Sequence, residues 1–240
     1  MPDTQVVAKG FAPKFPWFEK VDGYIPRRNI LRHITYSLNE FSGVLLDVGC
    51  CFLPYRKYIE VNSSTEKYLV LDLAVATTYK TVKPDIVWDG YNIPLADESV
   101  SSVMLTEVLE HCPYPDKILQ EIYRVLKPGG KLIYSVPFIF YLHESPYDFY
   151  RYTPFAIQKM MKDAQFSLQS LEAYGNGTIA FLHTYFIWVK RSNLLKIIRF
   201  FIYLITLPFT LLILLFADKK TISEFKNHQI FTGLYGISVK

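Results

Sequence analysis

Apolar residues along this chain switch repeatedly between helical spacing and short unbroken runs. Ile30, Leu31, Ile34 and Leu38 recur at helical intervals from Pro26 to about Phe41, and Pro26 suits a first turn. Val44-Leu45-Leu46-Asp47-Val48-Gly49 follows, an apolar run ending in an acid and a glycine, the pattern of a buried parallel strand entering a tight turn. A helix over Tyr55–Glu60 and a second strand over Lys67–Leu73 come next. Further strands are expected at Ile86–Asp89 and Val100–Leu105. A helix from about Pro115 to Leu126 stops at Lys127-Pro128-Gly129-Gly130. Lys131–Val136 reads as a fifth strand, and Thr153–Ala164 as a helix with Thr153 as N-cap and Pro154 at N1. Phe166–Tyr174 and Leu234–Val239 complete the strands. Strands alternating with helices build right-handed βαβ units around a parallel sheet, with ligands at the carboxyl ends of the strands.

The tail breaks this rhythm. Thr178–Val189 is strongly apolar, and Phe200–Ala217 holds 18 residues without a charge, the length at which a membrane-spanning helix becomes a candidate. If the strands before and after this stretch share one sheet, a single crossing would separate them. The tail must cross twice, dip in and return, lie at an interface or pack on the domain. Lys190, Arg191, Lys196 and Arg199 near its start, and Lys219 and Lys220 at its end, suit anionic headgroups, and a monotopic helical hairpin is the favoured reading. The alternative is a helical lid or dimer surface. The expected organisation is an arm and helix over 1–42, a domain formed by 43–177 with 231–240, and a hydrophobic insertion over 178–230.

Composition fits that division. The chain has 240 residues, 50% hydrophobic and 20% charged, so it has a packed core, while an aromatic share of 16% and a mean hydropathy of +0.14 point to apolar surface beyond it. A net charge of +4 with no basic stripe argues against nucleic acid. The three cysteines, Cys50, Cys51 and Cys112, are odd in number and two are adjacent, which suits a reducing compartment. The polar first ten residues lack the apolar core of a secretory signal. Cytoplasmic location, at the inner membrane face, is the expectation. No cysteine or histidine pair sits at zinc spacing, so no metal centre is expected.

Three acids close consecutive strands: Asp47, then Asp72 at 25 residues' remove, then Asp89. Each alone is an ordinary turn residue; together at one sheet edge they suit a nucleoside. Leu46-Asp47-Val48-Gly49-Cys50, Leu71-Asp72, Asp89 with Ile93-Pro94-Leu95, Glu107-Val108-Leu109-Glu110-His111 and Arg124-Val125-Leu126-Lys127-Pro128-Gly129-Gly130-Lys131 resemble, in order, the motifs of class I S-adenosylmethionine-dependent methyltransferases. The resemblance covers residues 40–175 and implies a Rossmann-like, doubly wound α/β sheet, mostly parallel with an antiparallel last strand, carrying the hydrophobic helical insertion. It implies S-adenosyl-L-methionine as cofactor. Asp47 and Gly49 would shape the pocket for its methionine part, Asp72 would hold the ribose, Leu73 would meet the adenine face, Asp89 would accept from the adenine amino group, and Thr106 and Glu107 would line the other side. Cys51 stands where such sequences usually have a second glycine, at a cost of about 1 kcal/mol if its φ is positive. The segment His143-Glu144-Ser145-Pro146-Tyr147-Asp148-Phe149-Tyr150-Arg151-Tyr152-Thr153 is similar to one found in a subgroup met in bacterial cell-surface and glycan contexts.

For the reaction itself, His143, Glu144 and Asp148 follow the fifth strand at the cofactor edge, and His143 suits a general base. A hydrogen-bonded loop of His143, Glu144, Asp148 and Arg151 that only caps the site is the alternative. Glu110 and His111 read first as structural. The acceptor is unspecified, a small molecule or, given the tail, a lipid- or glycan-linked one. A degenerate cofactor-binding module and a membrane-anchored scaffold remain as other readings.

Overall fold

In the computed structural model, the described residues are 7, 21–49, 52–73, 83–217, 225 and 230–240. Strand β1 (Ser42–Val48) explains the layering. Its side chains alternate between two separate cores, as successive strand residues must. Leu46 and Val48 join the core under α3 (Pro115–Val125) and α4 (Pro154–Asp163), while Leu45 joins the one under α1 (Val21–Tyr36) and α2 (Arg56–Asn62). Ile118, Leu119, Ile122 and Val125 form the buried stripe of α3 at helical spacing. Helix α4 starts where the sequence reading puts it, with Thr153 Oγ1 accepting from the Ala156 N–H at 3.2 Å.

The remaining strands are β2 (Ser64–Leu73), β3 (Ile86–Trp88), β4 (Val100–Thr106), β5 (Leu126–Pro137), β6 (Ser167–Tyr174) and β7 (Gly233–Val239). They form one sheet in the order β3-β2-β1-β4-β5-β7-β6. Pairings are parallel from β3 through β5, and β7 runs antiparallel to both β5 and β6. The sheet is therefore the doubly wound, mostly parallel one expected, with its last strand reversed.

Two boundaries move for tertiary reasons. Helix α1 begins at Val21, so Pro26 lies inside it although proline donates no helical hydrogen bond. The added turn carries buried Ile25 against Ile179 of α5 (Gly177–Arg191), a contact that local periodicity does not encode. Strand β5 starts at Leu126, which pairs with Val100 ahead of the Gly129-Gly130 bend.

The insertion is a helical hairpin. Helix α5 is capped by Asn176, whose side chain accepts from the Ile179 N–H at 3.1 Å. Ile179, Ala180, Phe186 and Val189 bury one side of it. Helix α6 (Lys196–Ala217) then packs through Tyr203 and Leu207 on Phe186 and Val189, with the Phe186 and Tyr203 rings stacked at 5.8 Å. Its opposite face, including Phe201, Ile205, Phe209 and Leu212, is exposed. Both flanking strands, β6 and β7, belong to the same sheet.

Strand β7 slots between its neighbours at a glycine. A Cβ on Gly236 would lie 2.7 Å from the Ser170 carbonyl and 2.6 Å from Tyr134 Cζ, whereas one on Gly129 would meet nothing within 4 Å. Gly236→Ala is expected to destabilise the protein by roughly 1–3 kcal/mol through overpacking. Gly129→Ala, strained only by its φ of +76°, should lose about 1 kcal/mol. Denaturant unfolding of both variants checks this; equal losses would contradict the packing at Gly236.

Candidate active site

The carboxyl ends of β3, β2, β1 and β4 lie side by side, because Val48 pairs with Leu71, Leu73 with Trp88 and Asp47 with Met104. Asp47 is buried and its carboxylate accepts the Tyr68 hydroxyl at 2.6 Å. Burial pushes its pKa up to about 7, opposed by the Tyr68 bond and assisted by the neighbouring Asp72 charge. Gly49 takes a φ of +68°, and its N–H donates to the Leu71 carbonyl at 2.9 Å. A Cβ here would lie 2.6 and 2.9 Å from the two Val108 methyls, so torsion and space both require glycine. The turn after β1 is thereby pressed against the segment after β4.

Asp72 is buried one residue before the end of β2, with Oδ1 accepting the Leu73 N–H at 2.8 Å. The Leu73 side chain is exposed beside it, against Gly90. Glu107 follows β4 in a left-handed conformation, φ +53°, fixed by its N–H donating to the Ser135 carbonyl at 3.0 Å. Its carboxylate accepts from Ser135 Oγ at 2.8 Å and the Tyr174 hydroxyl at 3.4 Å, and burial pushes its pKa up to about 7. Thr106 ends β4 next to it. Asp89 is at the same edge but exposed, and its carboxylate accepts the Tyr91 and Asn92 N–H groups at 2.7 and 2.8 Å. Those donors hold its carboxyl below the usual range and make it the organiser of the turn after β3. Cys51 lies outside the described residues.

These features fit a nucleoside cofactor: a buried acid near the end of β2, an exposed leucine beside it, and a glycine turn that a Cβ would block. Asp47, Gly49, Asp72, Leu73, Thr106 and Glu107 share that edge.

A second group gathers on the loop after β5. Asp148 receives the Arg151 guanidinium on both oxygens, at 2.6 and 2.8 Å. It also accepts the His143 N–H at 2.9 Å and His143 Nδ1 at 3.1 Å. Arg151 first, with the His143 N–H, holds its carboxyl well below the usual carboxylate range. With four donors on it, Asp148 is an anion that fixes His143. Glu144 is exposed; its carbonyl accepts the Tyr147 N–H at 2.9 Å, and its side chain has no hydrogen-bond partner among the described residues. From the β4 side, His111 Nδ1 lies 2.6 Å from the Tyr147 carbonyl, and its ring meets that of His143 edge-on at 4.7 Å. The Glu110 carboxylate is wholly buried beside them, and burial holds its carboxyl well above the usual range. Helix α5 touches this loop: Arg191 covers the Tyr141 ring at 3.5 Å, and His183 lies 5.6 Å from Phe140, which abuts His143.

Tyr68, Ser135 and Tyr174, which hold the buried acids, were not legible as site residues, since nothing in strand periodicity marks them. Glu110 and His111, read first as structural, meet His143 in space.

Burial of Asp47 has a measurable consequence. Its folded pKa of about 7 exceeds the unfolded value of 3.8, so this group's contribution to stability is complete below the unfolded value and is lost as pH rises toward 7. Asp47→Asn keeps an acceptor for Tyr68 but never ionises. Its stability relative to the parent is expected to rise by on the order of 3 kcal/mol between pH 4 and 8 in the absence of cofactor. Denaturant midpoints at both pH values test this, and parallel pH profiles would sink it.

Residues 46–134 match the family described as "Methyltransferase domain". A thiol S-methyltransferase of Mus musculus is 29% identical over 145 residues, 54% of this chain and 59% of the relative. A malonyl-[acyl-carrier protein] O-methyltransferase of Methylococcus capsulatus is 40% identical over 99 residues, 38% of this chain and 36% of the relative. The chain thus spans less than two thirds of the length of these relatives. A structure of a SAM-dependent methyltransferase from Archaeoglobus fulgidus superposes with a TM-score of 0.56 at 15% identity, over 93% of this chain and 96% of that one, which shows the shared fold. The match over 46–134 places a methyltransferase domain on that part of the chain; the strand order and the glycine turn with its neighbouring acids agree with it, and S-adenosyl-L-methionine is the cofactor that fits such a site.

Proposed function

We propose that the protein methylates an acceptor bearing an ionisable oxygen or sulfur, with His143 as the place where the acceptor loses its proton. The observation that carries this is the pairing of His143 Nδ1 with Asp148, which leaves Nε2 as the basic atom of the ring. The relatives' names, an S- and an O-methyltransferase, support the acceptor class.

When bound, S-adenosyl-L-methionine supplies an electrophilic methyl group. Asp72 would hold the ribose hydroxyls and Leu73 the adenine face, with Asp89 fixing the turn that closes on it. Asp47 and Gly49 would shape the space for the methionine part, and Thr106 and Glu107 would line its other side. Asp148, locked by Arg151, orients the His143 imidazole. Much of the rate in such a displacement comes from holding the acceptor in line, and removing its proton adds to that.

His143→Ala is expected to lower turnover about 100-fold or more while leaving affinity for S-adenosylhomocysteine within about twofold. The assay is release of S-adenosylhomocysteine with a panel of thiols, carboxylic acids and amphiphilic glycans. Unchanged turnover would remove His143 from this role, and absence of any cofactor binding by calorimetry would remove the enzyme reading.

The exposed face of α6 favours an amphiphilic acceptor met at a membrane surface. Among the described residues one helix, with its apolar window at Lys196–Ile213, is long and apolar enough to cross a membrane, with only 11% of that window buried. Its packing on α5 supports a hairpin lying in the interface at the cytoplasmic face, with Lys190 and Lys196 toward anionic headgroups. Because α5 touches the His143 loop, such an anchor would hold the acceptor edge near the bilayer. The protein should co-float with anionic vesicles, and Ile205→Ser combined with Phe209→Ser should abolish flotation; equal flotation of both proteins, or none by either, would contradict the anchor.

A further inference from the structure

We infer that Glu110, His111 and His143 form a binding site for one divalent transition-metal ion at the acceptor edge. One ligand atom from each of the three lies within 4.8 Å of the others. A tetrahedral cation with bonds of about 2.1 Å places its ligand atoms about 3.4 Å apart. Small rotations of the two imidazoles close that difference.

The hydrogen bonds behind the histidines decide which atoms converge. His111 Nδ1 faces the Tyr147 carbonyl, an acceptor only, so Nδ1 carries the hydrogen and Nε2 presents a lone pair. His143 Nδ1 faces the Asp148 carboxylate and the Tyr141 carbonyl, again acceptors only, so its Nε2 does the same. His111 Nε2 is 3.7 Å from Glu110 Oε1. The carboxylate they meet is 0% exposed, and neither of its oxygens has a hydrogen-bond partner among the described residues. Burying this group without a hydrogen-bond partner is costly in either protonation state, and at 3.7 Å His111 Nε2 is too far to accept a hydrogen bond from it. A cation satisfies all three groups at once.

The surroundings match what metal-binding histidines require. A carboxylate behind one ring and a backbone carbonyl behind the other fix tautomer and orientation. Asp148 is itself immobilised by Arg151. Two imidazoles with one carboxylate suit zinc and its first-row neighbours rather than magnesium or calcium, which prefer oxygen. Three protein ligands leave a coordination position open, and the histidine side chains are 21% and 22% exposed, so the site is reachable from solvent.

The consequence for catalysis rests on the function proposed above, whereas cation binding does not. A thiol or hydroxyl taking the open position would release its proton to solvent water more readily, because the cation stabilises the anion left behind. With the cation bound, His143 serves as a ligand; without it, the imidazole takes the proton itself.

The test is titration of the chelator-treated full chain with Zn²⁺ by calorimetry, alongside visible absorption of the Co²⁺ form. One saturable equivalent per chain is expected. Glu110→Gln, His111→Ala and His143→Ala should each weaken it about 100-fold or more, and Asp148→Asn about 10–100-fold. Binding of S-adenosylhomocysteine by each variant verifies that it is folded. No saturable binding up to about 0.1 mM Zn²⁺, or unaltered affinity in the three ligand variants, overturns the site. Since binding is read without turnover, a chain that takes Zn²⁺ but transfers no methyl group keeps the site and loses the function. One that methylates without taking Zn²⁺ does the reverse.

Discussion

At the carboxyl edge of the sheet, Gly49 packs directly against Val108. The turn after β1 reaches the segment after β4 at a distance only a glycine permits, and in a backbone conformation only glycine adopts freely. That contact fixes the separation between the cofactor turn and the Glu107–His111 segment. The chemistry on either side depends on it. Asp47 and Asp72 are on one flank, and Glu107, Glu110 and His111 on the other.

Electrostatics sharpen this arrangement. Asp47, Glu107 and Glu110 are all pushed upward by burial, and each is treated differently by its neighbours. Asp47 has Tyr68; Glu107 has Ser135 and Tyr174; the Glu110 carboxyl has no donor among the described residues. The Arg151 guanidinium beside Glu107 and Glu110 is spent on Asp148. A sheet edge holding buried carboxyl groups with so few donors favours cationic ligands, because each bound positive charge lets an acid ionise without the full desolvation cost.

The helical hairpin adds a second constraint. Leaving the sheet after β6 and returning as β7, it is held at both ends by strands of one sheet, so its position relative to the site is set by the sheet itself. Helix α5 faces inward, meeting α1 through Ile179 and the loop after β5 through Arg191 and His183. Helix α6 turns its remaining apolar face outward. The same element thus borders the site and carries the exposed apolar surface.

The sequence alone determined the layered α/β sheet, its strand positions to within a few residues, and the acids at the strand ends, because hydrophobic periodicity and turn glycines are local signals. It also marked the 178–230 stretch as a departure from the domain's pattern. Only the tertiary structure decided which polar groups face one another. Glu110 and His111 precede α3, His143 follows β5, and their meeting depends on β4 and β5 being neighbours and on the Asp148–Arg151 pair folding the loop back. Metal spacing sought within one segment misses such a set, since its ligands come from two. The start of α1 at Val21 has the same origin: Ile25 gains burial against a helix more than 150 residues away in the chain, which no local rule for Pro26 contains.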